Sequence, residues 1–103
     1  MKIALLHINP TVGDLNGNAA KIKQFANKAK EADLIVTSEL ALLGYPPRDL
    51  LLYPDFIREA WKELQTLAKN IESLPPVLVG IATINRNKKG RPLFNCAVFL
   101  KDG

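Results

Sequence analysis

Apolar and polar side chains alternate along this chain in blocks that mark out its elements. Lys2 to Ile8 is mostly aliphatic and reads as a first strand, buried on both faces. A loop follows through Asn9-Pro10 and Gly13-Asp14, with Asn16 or Asn18 placed to cap a helix. From Ala19 to Ala32 the residues Ile22, Phe25, Ala26 and Ala29 recur at helical spacing, and lysines cover the other side. Leu34 to Ser38 reads as a second, buried strand. Strand, helix and strand of these lengths form a βαβ unit, which makes the strands parallel and the crossover right-handed.

Past a loop broken by Gly44, Pro46 and Pro47, Pro54-Asp55 begins a second helix. Proline suits a first turn and an acidic residue suits a helix amino end. Ile57, Ala60, Trp61, Leu64, Leu67, Ala68 and Ile71 hold the helical period until Pro75 and Pro76 forbid its continuation. Val77 to Thr83 is an apolar strand containing Gly80, and Leu93 to Lys101 is another. The turn between them, Asn85 to Gly90, is short enough to join antiparallel neighbours, so the sheet is expected to be mixed. Asp102-Gly103 is a hairpin-turn signal with no strand after it, so residues 1–103 read as the amino-terminal portion of a larger domain.

Composition narrows the function classes. The 103 residues give room for one modest core, and 48% apolar with 23% charged residues is ordinary globular composition. No apolar run approaches the roughly 18 residues of a membrane span, and no secretory signal opens the chain; a cytoplasmic location is expected. A single cysteine, Cys96, excludes a disulfide framework. The net charge of +4 raises the possibility of nucleic acid binding, but the basic residues are dispersed. Lys21, Lys23, Lys28 and Lys30 lie on one helix, and Arg86, Lys88, Lys89 and Arg91 lie in one turn, without the interleaved aromatics of a single-strand surface. They read as a solvated face and a polar turn, with no nucleic-acid partner.

Candidate chemistry centres on Glu39, a carboxylate at the carboxyl end of the second strand, where ligands bind in open α/β sheets. From the pattern alone it is equally a catalytic base or the half of a structural ion pair. His7 has no ligand-type residue at metal spacing, and Gly13 and Gly17 do not compose a phosphate-binding fingerprint. Cys96 lies mid-strand and reads as a small core hydrophobe. Arg48 and Asp49 read as a surface pair worth under about 1 kcal/mol.

Two segments carry a resemblance. Glu39-Leu-Ala-Leu-Leu-Gly-Tyr-Pro-Pro-Arg-Asp-Leu-Leu-Leu52, with Ile8-Asn-Pro-Thr-Val-Gly-Asp-Leu-Asn-Gly-Asn18 upstream, resembles the nitrilase or carbon–nitrogen hydrolase superfamily. More narrowly, it is similar to the amino-terminal glutaminase domains of glutamine-dependent NAD⁺ synthetases. The resemblance runs over essentially the whole chain, which covers well under half of such a domain. It implies an α/β fold: a nitrilase-like αββα sandwich with mixed sheets, of which residues 1–103 are the amino-terminal part.

The reaction so implied uses a cysteine nucleophile, a glutamate base and a lysine. Glu39 matches the glutamate as general base, Tyr45 is implied to line the glutamine pocket, and Pro46 and Pro47 would stiffen the loop between them and the next helix. The nucleophile and lysine have no match: Cys96 is on a strand instead of a strand-to-helix turn, and Lys101 precedes the hairpin where the lysine belongs. The same resemblance implies ATP and magnesium in a separate synthetase domain, with no cofactor or metal held by these residues. Its implied partners are glutamine, deamido-NAD⁺ and ATP, with self-association into a homo-oligomer. Two rival readings are a stand-alone amidase of the superfamily and a non-catalytic α/β interaction module.

Overall fold

Side-chain alternation divides the strands of this protein between two unlike sheet faces. The computed structural model describes residues 1–87 and 89–103; Lys88, one of the basic residues of the turn, lies outside them. The chain runs β1 (Ile3–Leu5), α1 (Leu15–Lys28), β2 (Leu34–Val36), a short 3₁₀ turn (Arg48–Leu52), α2 (Pro54–Asn70), β3 (Val77–Ile84) and β4 (Leu93–Leu100). The strands lie in the order β1-β2-β3-β4. β1–β2 and β2–β3 are parallel and β3–β4 antiparallel, the mixed sheet that the βαβ pattern and the short turn predict.

On one face Ile35, Val77, Val79 and Ile81 are fully buried beneath the helices. The helices contribute Ile22 and Ala26 from α1, and Ile57, Ala60, Leu64 and Leu67 from α2. The indole N–H of Trp61 donates to the Ala82 carbonyl at 2.9 Å, tying α2 to the strand it covers. The opposite face carries Leu34, Val36 and Leu78 in the middle, with Ile3, Leu5 and Phe99 beside them in register. Ile3, Leu5 and Phe99 are more than half exposed, at 54%, 65% and 54%. One sheet and one helix layer are thus in place, and the second face is open and apolar.

Several expectations shift. The first strand is three residues long, not Lys2 to Ile8, and it is buried on one side only. Beyond Leu6, which still donates to the Val36 carbonyl, the chain leaves the sheet to form the opening loop. α1 starts at Leu15, four residues early, because Asp14 caps it by accepting from the Gly17 amide at 3.0 Å. Gly17 permits this cap: a Cβ there would sit 2.1 Å from the Asp14 carboxylate. The helix ends at Lys28, short of Ala32. Arg48 and Asp49 open the unforeseen 3₁₀ turn, and no contact within ion-pair distance joins them; the pairs formed are Arg58–Asp55 and Lys62–Glu59, both on exposed helix surface.

Asn18, expected as a possible cap, does something else. Fully buried, it accepts from the Thr11 amide at 2.8 Å and donates to the Thr11 and Leu42 carbonyls, each at 2.9 Å. The Gly13 amide donates to the Leu43 carbonyl at 2.9 Å beside it. The opening loop and the loop after β2 are thereby joined into one layer. Asn18→Ala removes the partner of three backbone groups, of which the Leu42 carbonyl is bonded in a buried position, and a loss of about 1–3 kcal/mol is expected by urea unfolding.

Candidate active site

At the end of β2 the sheet ladder stops, and the next backbone groups find other partners. The Thr37 amide still donates to the Leu78 carbonyl at 3.0 Å, and the Thr37 hydroxyl accepts from the Gly80 amide at 3.1 Å. The chain then turns across β3 at Gly80. A Cβ at Gly80 would lie 2.6 Å from both the Leu40 nitrogen and the Ser38 oxygen, so a hydrogen is the only side chain this crossing tolerates. Leu40, next to Glu39, has φ = 52°, a left-handed conformation that costs a residue with a Cβ roughly 1–2 kcal/mol. Burial holds it there: Leu40, Ala41, Leu42 and Leu43 all belong to the core. The apolar residues that follow Glu39 in sequence are therefore the anchor of its loop.

Glu39 itself is exposed on the open sheet face. It borders a cleft of about 310 Å³ with Thr37 and Ser38 on one side, Leu78 and Gly80 as floor, and Asn95 and Ala97 of β4 opposite. The Asn95 side-chain amide donates to Glu39 Oε1 across the cleft. Tyr45 is 62% exposed and lies outside the cleft lining. Its loop is fixed by Gly44, whose φ of 86° and close approach to the Val12 backbone exclude any larger residue.

Cys96 borders the same cleft, but its thiol donates to the Ile81 carbonyl at 3.3 Å, on the helix side of the sheet. Burial pushes that thiol above its ordinary range, so little thiolate is present at neutral pH. It is an inert strand residue, as its position predicts. His7 is exposed, and no group of three or more His, Cys, Asp and Glu side chains converges on a metal position among the described residues.

Sequence reasoning singles out Glu39, which borders the cleft, and does not single out Asn95, Gly80 or the bridging role of Asn18. A signal existed for Asn95, the one amide within the otherwise apolar run Leu93 to Leu100. No local pattern marks Gly80 or Asn18: Gly80 packs against the backbone of Ser38 to Leu40, and Asn18 bonds Leu42, 24 residues away, as well as Thr11.

A mixed sheet with helices on one face and a carboxylate at the mouth of β2 define the class. The carbon-nitrogen hydrolase family model matches residues 2–103, and the chain belongs to that family. Its similarity is to one branch in particular. The chain is 43% identical over 106 residues to the glutamine-dependent NAD(+) synthetase of Synechocystis, covering 98% of this chain and 19% of the relative. Against the Thermotoga maritima enzyme of the same name identity is 37%, covering 100% and 18%. Among solved structures, the glutamine-dependent NAD⁺ synthetase of Acinetobacter baumannii, in complex with ADP, superposes with a TM-score of 0.77 at 30% identity, over 98% of this chain and 19% of that one. The chain thus spans about a fifth of the length of the relatives it matches. The nitrilase-like α/β fold is the one expected.

Two outcomes follow from this geometry. Gly80→Ala should displace the Glu39 loop and cost about 1–3 kcal/mol in thermal or urea unfolding, because backbone cannot yield as a side-chain tip can. Alkylation of Cys96 by iodoacetamide should be slower at pH 7 than that of a free thiol and should climb steeply only in alkaline solution, followed by mass spectrometry.

Proposed function

We propose that this chain is the amino-terminal part of the glutaminase domain of a glutamine-dependent NAD⁺ synthetase, with Glu39 as its general base. The observation that carries this reading is the position of Glu39: a carboxylate at a strand mouth, held at a cleft, in a chain similar over nearly its whole length to those synthetases. In this reading Glu39 takes the proton of a cysteine thiol, which attacks the amide carbon of glutamine. It returns a proton to the departing ammonia and then activates the water that hydrolyses the thioester. Water and glutamine are consumed; glutamate and ammonia are formed.

The cysteine and the oxyanion-stabilising lysine belong to residues beyond these 103, packed over the open face. Cys96 is set aside because its thiol turns to the helix side and is raised by burial. Tyr45, exposed six residues after Glu39, lines the glutamine pocket at the end of the same rigid loop. The ammonia serves an ATP- and magnesium-dependent amidation of deamido-NAD⁺ to NAD⁺ on a separate synthetase domain, in a cytoplasmic homo-oligomer. Among the described residues no helix is long and apolar enough to cross a membrane.

Glu39→Gln in the full-length polypeptide tests the assignment. Glutamine-dependent NAD⁺ formation should fall by about two to four orders of magnitude while ammonia-dependent formation is kept. Unchanged glutamine-dependent turnover would remove Glu39 from the mechanism. Tyr45→Ala should raise KM for glutamine more than it lowers kcat. The 103-residue chain by itself should release no ammonia from glutamine, as measured in a coupled ammonia assay.

A further inference from the structure

We propose that Asn95 is the positioning residue of Glu39: its side-chain amide, fixed on β4, holds one carboxylate oxygen so that the other faces the reacting proton. This rests on the reading of Glu39 as the base. Among the described residues, the bond from Asn95 Nδ2 to Glu39 Oε1 is the one hydrogen bond the carboxylate receives. It joins residues 56 positions apart and spans the cleft from the loop after β2 to the edge strand.

The two ends of this contact are held differently. Asn95 sits inside an eight-residue antiparallel ladder, opposite Ala82, so its Cα is fixed by the pairing of β4 with β3. Glu39 is held by the crossing over Gly80 and by the left-handed Leu40, both of which set its Cα but leave its side-chain torsions free. An exposed glutamate side chain has several rotamers of similar energy. The Asn95 amide selects among them. As a neutral donor it aims the carboxylate without the full positive charge by which a lysine or arginine here would weaken it as a base.

The groups facing Glu39 from each packed element are Thr37 and Ser38 on its own loop, Leu78 and Gly80 on β3, and Asn95, Cys96 and Ala97 on β4. Cys96 alone of these titrates, and its thiol is bonded away on the opposite face.

The test uses the full-length polypeptide, assayed for glutamine hydrolysis and for ammonia-dependent NAD⁺ formation from pH 5 to 9. Asn95→Leu removes the donor, and Asn95→Asp keeps the shape while replacing donor by charge. Both should lower kcat for glutamine about ten- to hundred-fold, with KM changed less than about twofold. The acid limb of kcat/KM should move to higher pH in Asn95→Leu and further in Asn95→Asp, since loss of a donor and then a like charge each favour the protonated carboxyl. Ammonia-dependent formation should be unchanged. Wild-type kcat and an unmoved acid limb in both variants, with Glu39→Gln inactive, would overturn the role of Asn95 and leave the base standing. A rate loss shared by the ammonia-dependent reaction, with the acid limb unmoved, would also overturn it, as a purely structural effect. Full glutamine turnover in Glu39→Gln would instead remove the base itself.

Discussion

The buried side chain of Asn18 is the point on which the site depends. A loop that crosses the end of a sheet cannot bond its own backbone groups into a ladder, so they need partners elsewhere. Asn18 answers for three such groups, on Thr11 and Leu42, using both its donor hydrogens and its carbonyl. With the Gly13–Leu43 bond beside it, the side chain joins the opening loop to the loop that carries Glu39. Only an amide of this length has a donor pair and an acceptor in the right places; aspartate would lack the donors and bring a charge that no nearby cation balances.

This explains why two segments far apart in sequence belong to one pattern. The Asn-Pro-Thr-Val-Gly-Asp opening and the Glu-Leu-Ala-Leu-Leu-Gly-Tyr run touch backbone to backbone, with Gly44 against Val12 so closely that no Cβ fits. Their contact is a packing constraint. A division appears within the second segment: four apolar residues sink into the core so that a single polar one can stand in solvent.

Much of the fold was legible because helix and strand periods are local. α2 begins at Pro54 as its proline and acidic residue require, and β3 and β4 pair as the short polar turn dictates. The start of α1 was not legible, since Gly17 counts as a breaker by propensity yet serves here to make room for the Asp14 cap. β1 was overestimated because an aliphatic run looks the same in a strand and in a chain that is leaving one. At the site, Glu39 could be placed from its strand and its motif. Asn95, Gly80 and Asn18 could not, because each acts through a partner that only the folded topology brings near.

The crossing at Gly80 bears on how such a site can be moved or redesigned. Glu39 is aimed by contacts between main chains: its loop lies on β3 at one end and on the opening loop at the other, with asparagine amides at Asn18 and Asn95 closing the gaps. Main-chain contacts do not travel with a short motif. Transplanting residues 38–45 onto another sheet would carry the carboxylate but not its aim. Residues 9–18, 37–45, 77–84 and 93–97 together hold the carboxylate, and moving one of these stretches without the others should lose its aim.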